Sequence, residues 1–489
     1  MTKAFITNTP AINMTIVGFG QAGSRMADEF ANYKKADGTP SYNCLALNSN
    51  DGDLEGLKNI PEENRVSLGL RGMAKNPEKG LITLEENKDA AEKLNNFIHD
   101  KVRADDELVL FFAGLGGGTG TSTIVKAISE FYDHHNKPLI RKELIKIKKS
   151  VSDEDFKENA KRYAVQATRK AAEKFVKIGV IVTLPLRHDG PDVLRQVNDF
   201  SQKIWKSASD PSKGIAFVTF ADNQHFYDEF NAIPKNKRKN IDNYRDYANK
   251  QISEIFHELN TATTSGGSSL SFDAEDFKRA ITEFNGSLVL SKIEVPANLV
   301  NNNDDVAELF KRSLKETNLH SPIQLVREHD GEYISKKVYH VGLLAVLDES
   351  KKLGNGAFIE KAKEIANKEL PVNGVVFDGY VESKNDFRVS VYSFYKTDAL
   401  PERLETGLVK EYEEFQERNR NFTFEKATIQ SIGDKNELLN EDDLDFDDLG
   451  ISDLLGDDEL SLETDDNLDN ADDDDAAVDE LLNSLDLSK

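Results

Sequence analysis

Sulfur chemistry is almost missing from this chain: among 489 residues only Cys44 carries a thiol. A single cysteine rules out an internal disulfide framework and suits a reducing compartment. Long apolar runs are absent too. None reaches the length that spans a bilayer, and the first residues lack the apolar core of a signal peptide, so a cytoplasmic protein without membrane contact is the expectation. Positive charge is also in short supply, with a formal net charge of −25. Residues 436–489 hold 22 acidic residues and one Lys, so the preceding 435 residues carry only about −4. An acidic tail on a near-neutral body argues against direct nucleic-acid binding, because a phosphate backbone would be repelled.

What is present is size and alternation. The length suffices for two or three cores. Short apolar runs at 14–17, 43–47 and 108–112 alternate with helical patterns near 23–33, 84–101 and 119–132. The pattern resumes with strands at 178–184 and 215–220 around a helix at 191–207. Such order predicts an α/β fold with a parallel sheet between helices. A long helical pattern covers 241–261, and "FDAEDFKRAITEF" opens another helix. A second α+β unit starts at Ser287, with strands at 288–295, 338–347, 372–380 and 387–395 and helices near 306–317, 358–367 and 404–419. The expected organisation is a nucleotide-binding domain (1–240), a central helix with its following loop (241–286), a C-terminal α+β domain (287–433) and a disordered acidic tail (434–489), whose composition cannot build a core. Residues 137–175 hold 12 basic against 6 acidic residues. They read as a basic, mostly helical insertion, either a solvated hairpin or a contact surface for an acidic partner such as the tail.

Two glycine loops carry the chemistry. "GLGGGTGT" follows an apolar strand, and five glycines fall between Gly114 and Gly120. Backbone amides reach phosphate oxygens where no Cβ blocks them, and a helix N-terminus adds favourable charge. Gly114, Gly116, Gly117, Gly118, Thr119, Gly120 and Thr121 are therefore phosphate-binding candidates. The run lacks the Lys-Ser/Thr ending of a Walker loop. The other loop, "VGFGQAGSR", fits G-x-G-x-x-G through Gly18, Gly20 and Gly23. A dinucleotide enzyme uses that pattern with an acidic residue ending the next strand, whereas Asn48 ends it here.

Taken together, the loops resemble those of the tubulin/FtsZ superfamily of GTP-dependent filament proteins, whose G-G-G-T-G-[TS] signature is matched by Gly116 to Thr121. The TubZ/PhuZ proteins of plasmids and bacteriophages are the most similar branch. The resemblance covers about residues 14–430 and is strongest up to residue 285. It implies GTP and GDP as ligands with Mg²⁺, and no resident metal cluster. It places Gly20, Gln21, Ala22 and Gly23 against the phosphates, with Asn48 in the second loop. "GLRGMAKNP" stands as the third loop, beside the γ-phosphate. Asp189 takes the ribose-binding position, Asn223 the purine contact, Tyr244 or Tyr247 the stacking ring and Asn249 the guanine edge.

Asp273 and Asp276 stand three residues apart at a helix start, a spacing that lets both face one spot and that also makes a common cap. The resemblance makes them catalytic: they would enter the nucleotide pocket of the next subunit in a head-to-tail homopolymer. Hydrolysis would then follow assembly, and the filament would segregate or position plasmid or phage DNA or a phage structure. An adaptor could dock on the acidic tail. Two alternatives remain open: a nucleotide-dependent oxidoreductase using "GFGQAG", and a non-polymerising GTP-binding regulator of the same fold.

Overall fold

The computed structural model describes residues 9–103, 106–238, 241–264, 272–329, 332–348, 350–351, 353, 356–383, 387–420, 422, 478–479 and 481–482. Twelve strands are present among them: β1 (Met14–Phe19), β2 (Asn43–Asn48), β3 (Arg65–Ser67), β4 (Leu108–Gly114), β5 (Lys177–Leu184), β6 (Ile215–Asp222), β7 (Ser287–Pro296), β8 (Val326–His329), β9 (Glu332–Ser335), β10 (Val338–Asp348), β11 (Val376–Ser383) and β12 (Arg388–Thr397). Ten of these form one sheet in the order β11-β10-β12-β7-β6-β5-β4-β1-β2-β3, and β8 and β9 pair antiparallel in a separate two-stranded sheet. The half from β6 to β3 is wholly parallel. Its strands other than the short β3 are buried on both faces, as near-continuous apolar sequences such as Leu108–Gly114 require. In the other half β12 runs antiparallel to both β7 and β10.

The halves meet where β6 pairs with β7, through the single register pair Val218 and Ser287. Lys396, fully buried on β12, reinforces the seam. Its ammonium donates to the carbonyls of Ala216 at 3.3 Å, Ile281 at 2.9 Å and Phe284 at 2.6 Å, and also to that of Glu283. Ile281 lies in the last turn of the helix Ala274–Thr282, Glu283 is its C-cap and Phe284 follows, a stretch where backbone acceptors lack intrahelical partners. One cation thus satisfies a helix terminus and ties it to β6.

The central helix, Tyr244–Ala262, lies between the halves. Its Glu258 accepts from the hydroxyl of Tyr392 at 2.5 Å and pairs with Lys292 at 2.7 Å, which fixes it to β12 and β7. Ile252, Ile255 and Leu259 pack into the core on one face of the sheet. A second apolar cluster fills the opposite face around β4, β5 and the helices Gly118–Phe131 and Pro191–Ser209. A third lies beneath the antiparallel half.

Several boundaries differ from expectation for local reasons. The helical pattern over 84–101 is two helices, Pro77–Glu86 and Lys88–Lys101. Asn87 leaves helical geometry between them, and its side chain accepts from Ala90 N–H at 3.1 Å to cap the second. The first helix starts at Gly20, not Gly23. The strand expected from Val372 begins at Val376. The insertion is helical on both sides of Ser152, as Lys137–Lys148, Asp153–Glu158 and Ala160–Ala171. Of the expected acidic tail, all but residues 478–479 and 481–482 lies outside the described residues. Among the described residues no helix is long and apolar enough to cross a membrane.

Two buried histidines make stability depend on pH. His257 stacks on Tyr33 with ring centroids 3.7 Å apart, and its Nδ1 lies 3.0 Å from the Tyr42 hydroxyl. His320 is enclosed behind the loop that reaches β6. Burial pushes each from an ordinary value of 6.5 to about 4. The folded chain therefore binds fewer protons than the unfolded chain between these values. Stability is full above pH 6.5 and declines as pH falls toward 4. Denaturant titrations should show a loss of about 2 kcal/mol per histidine between pH 7 and pH 5, with a smaller loss in His257→Gln.

Candidate functional site

Both glycine turns sit at the C-terminal ends of neighbouring parallel strands. β1 lies between β2 and β4, and helices leave its two flanking turns from Gly20 and Gly118. This is the point where the strand order reverses, the usual place for a ligand crevice in an open parallel sheet.

The turns press on each other. Gly20 has a φ of +66°, and a Cβ there would lie 2.6 Å from the amide nitrogen of Gly120. A Cβ on Gly120 would lie 2.9 Å from the carbonyl oxygen of Phe19. Gly23 backs onto the Phe112 carbonyl, where a side chain would approach to 2.1 Å. Gly114 is closed by Ala22, and Gly118 by Met73. Only Gly117 within the run is uncrowded: a methyl group there would meet nothing closer than a carbonyl oxygen at 3.7 Å. Most of these glycines are thus demanded by backbone-to-backbone packing, and Gly117 by access.

That packing encloses a cavity of about 370 Å³. Gly114 and Gly116 to Gly120 form one wall, and Gln21, Ala22 and Asn48 form the next. The Thr119 hydroxyl donates to Ser49 Oγ at 3.0 Å on the cavity edge. Thr121 points inward: it is fully buried, and its hydroxyl donates to the Gly114 carbonyl at 3.3 Å, closing the turn. Gly20 and Gly23 likewise stand behind the wall.

On the far side lie Asp189, Asn223 and Tyr244. Asp189 accepts from the Leu186 amide at 2.9 Å, which orients it. Tyr244 meets Tyr227 edge to face at 5.5 Å. Tyr247 packs instead against Phe226 and Phe230 and donates to Glu229 at 3.3 Å, which leaves Tyr244 as the ring at the cavity. Asn249 departs from expectation. One turn beyond Arg245, it lines a separate cavity of about 550 Å³ between the first helix and the Gly56–Asn59 loop, because the helix carries it past the nucleotide-sized cleft.

Several lining residues escape a reading of the sequence. Asp53 accepts from Gln21 Nε2 and from Asn48 Nδ2, both at 3.1 Å, and so presents a braced carboxylate. Lys75 and Arg245 supply the positive charge. Lys75 follows Ala74 in two successive left-handed conformations, φ +58° and +45°, a strained turn for residues with side chains. The position of Lys75 within "GLRGMAKNP" is the available signal, whereas nothing in the spacing singles out Asp53 or Arg245.

Arg403 is the remaining addition, and it acts from behind. It is 5% exposed. It donates to the Pro185 carbonyl at 2.7 Å and to Asp222 at 2.5 Å, and grips Glu411 through two contacts of 2.9 Å. Asp222 in turn caps the helix that starts at Asn223, accepting from Gln224 N–H at 2.9 Å. The helix Leu408–Arg420 thereby holds the ends of β5 and β6 on the cavity's far side.

Asp273 and Asp276 are not in the cavity. They cap the helix Ala274–Thr282 reciprocally: Asp276 N–H donates to Asp273 at 3.0 Å and Asp273 N–H to Asp276 at 3.3 Å. The central helix separates them from Tyr244, and its 19 residues span about 28 Å. Asp273 is exposed.

The end of β2 carries Asn48, where a dinucleotide site has an acid for the ribose.

Residues 258–406 match the family described as "Tubulin/FtsZ-like protein TubZ-like, C-terminal domain". The tubulin-like protein TubZ of Bacillus cereus is 25% identical over 300 residues, which are 59% of this chain and 56% of that protein. The chain thus aligns with little more than half of that relative's length. TubZ of Bacillus thuringiensis subsp. israelensis is 34% identical over 131 residues, 24% of this chain and 27% of that protein. Among solved structures, a GTPγS-form protofilament of TubZ from the same bacillus covers 86% of this chain and 97% of its own, with a TM-score of 0.60 at 18% identity. The GDP-bound monomer of CetZ1 from Haloferax volcanii covers 83% and 100%, with a TM-score of 0.56 at 16% identity.

The two classes of glycine respond differently to a methyl group. Gly20→Ala should lower unfolding stability by at least about 2 kcal/mol, through positive φ and a backbone clash. Gly117→Ala should change it by less than about 1 kcal/mol. Chemical denaturation of the two variants checks this.

Proposed function

Because the chain belongs to the tubulin/FtsZ superfamily and is TubZ-like, we propose that it binds GTP in the cleft between its glycine turns and hydrolyses it when a second copy supplies Asp273 and Asp276. The observation that carries this reading is the distance between the two halves of the chemistry. Groups suited to a nucleotide gather at the start of the central helix, and the acid pair stands beyond its other end.

In the cleft, the amides from Gly117 to Thr119 and the N-terminus of the following helix meet the phosphates. Lys75 and Arg245 offset their charge. Asp189 accepts from the ribose hydroxyls, Tyr244 covers the base and Asn223 reads its polar edge. Among the described residues no group of three or more His, Cys, Asp or Glu side chains is arranged for a metal. Mg²⁺ would instead arrive with the phosphates, held mainly by their oxygens and by one or two carboxylates, and Asp53 is the braced carboxylate in reach. Bound there, the ion supplies charge neutralisation on the phosphate chain.

Water attacks the γ-phosphorus, the bond to the β–γ bridging oxygen breaks, and GDP and phosphate leave. A carboxylate from the next copy orients that water and takes up its proton. Stacking copies head to tail along the central helix brings each acid pair to the neighbouring cleft. Growth and hydrolysis are then coupled, and the filament moves or positions plasmid or phage DNA through an adaptor. The TubZ protofilament in a GTPγS form supports the assembly part of this reading.

Asp273→Asn and Asp276→Asn keep much of the helix cap while removing the charge. Each should retain GTP affinity within about threefold, lose at least about 100-fold in turnover and form filaments that persist after GTP addition. Wild-type turnover per molecule should rise with protein concentration. Turnover indifferent to dilution, or unchanged in both variants, would defeat the proposal. Equilibrium binding of labelled GTP, phosphate release and light scattering are the measurements.

A further inference from the structure

The helical insertion builds a small core of its own, apart from the three that line the sheet. Ile140, Leu144 and Ile147 from Lys137–Lys148 face Tyr163, Ala167 and Ala171 from Ala160–Ala171. A solvated hairpin has no need of such a cluster. Two of its members come from the other end of the chain: Val478 is fully buried in it, Leu482 is 8% exposed, and Leu481 packs at its margin. Val478 and Leu482 are four residues apart in helical backbone, so both face the same groove. Beside them Arg141 holds Asp479 with two contacts, 2.7 and 3.2 Å, the forked geometry that makes such a pair specific. The Arg141 guanidinium keeps the Asp479 carboxyl below its ordinary range.

We propose that the insertion is a docking surface for the chain's own C-terminal segment, which it holds through Val478, Asp479, Leu481 and Leu482 within the same copy. The ligand it selects is a short amphipathic helix with apolar residues four apart and an acid between them. Charge favours the same arrangement at longer range. The insertion carries six more basic than acidic residues, and Lys161, Arg162, Arg169 and Lys170 are exposed along its outer helix. In sequence, the acidic run Asp472 to Asp475 ends three residues before Val478. Fifty-five residues separate Phe422 from Val478 in sequence, and a chain of that length can extend to about 180 Å, so a seat within the same copy is in reach. The proposal does not depend on GTP hydrolysis.

Hydrogen exchange by mass spectrometry on the full-length protein tests it. In the wild type, peptides from 137–148, 160–171 and the C-terminal segment should be protected together, and protection should survive about 100-fold dilution. Val478→Asp with Leu482→Asp should speed exchange in all three by at least about tenfold while peptides from β1 and β4 stay unchanged. Arg141→Asp alone should weaken protection, and Arg141→Asp combined with Asp479→Arg should restore most of it. Two results would overturn the proposal: insertion peptides that do not respond to the tail substitutions, and protection that disappears on dilution, which would place the seat on another copy.

Discussion

The site depends on contact between two stretches of bare backbone. Gly20 and Gly120 bring the turns after β1 and β4 to a separation that no side chain would permit. That contact aligns two helix starts on one crevice and leaves Gly117 open at its centre. Met73 then closes on Gly118, so the strained Ala74–Lys75 turn is also seated by a glycine. The cleft is therefore assembled from three loops whose positions are mutually determined. Considering each loop alone as a phosphate binder misses this, since most of the glycines are also required by contacts between the loops.

Residues distant in sequence complete what the loops begin. Arg403 carries the C-terminal helix to the ends of β5 and β6, and its buried pair with Asp222 is braced by Glu411 and a backbone carbonyl. Such a pair tolerates burial because its hydrogen-bonding groups are filled, and losing one partner would leave the other stranded. Lys396 does comparable work at the seam, where four carbonyls surround its ammonium. In both places a cation from the second half of the chain organises backbone of the first.

The parallel half is legible in the sequence because its strands are uniformly apolar and bounded by Gly, Asn or Asp. The glycine turns are legible because five glycines in seven positions have few other uses. The three-residue strand Arg65–Ser67 and the paired strands Val326–His329 and Glu332–Ser335 have too little periodicity to register. The helix after Asn223 escapes notice although Asp222 caps it. The resemblance puts Asn249 at the base, whereas in the structure it lines a separate cavity. Asp53 and Arg403 cannot be found from spacing, since one is braced by partners in other loops and the other reaches its partners from 181 and 218 residues away. The tail's last apolar residues do stand out from their acidic surroundings, and two of them pack on the insertion.

The narrow pairing between β6 and β7 has a mechanical corollary. β12 and β7 share ten register pairs and β4 and β5 share seven, yet a single pair joins the two halves of the sheet. Shear between the halves concentrates on this line, which has the fewest ladder bonds to resist it. The acid-bearing helix Ala274–Thr282 is fastened at that line by the Lys396 ammonium. A small rotation about this line would swing the helix start through a larger arc than its anchored end, so the aim of the two aspartates is sensitive to bending.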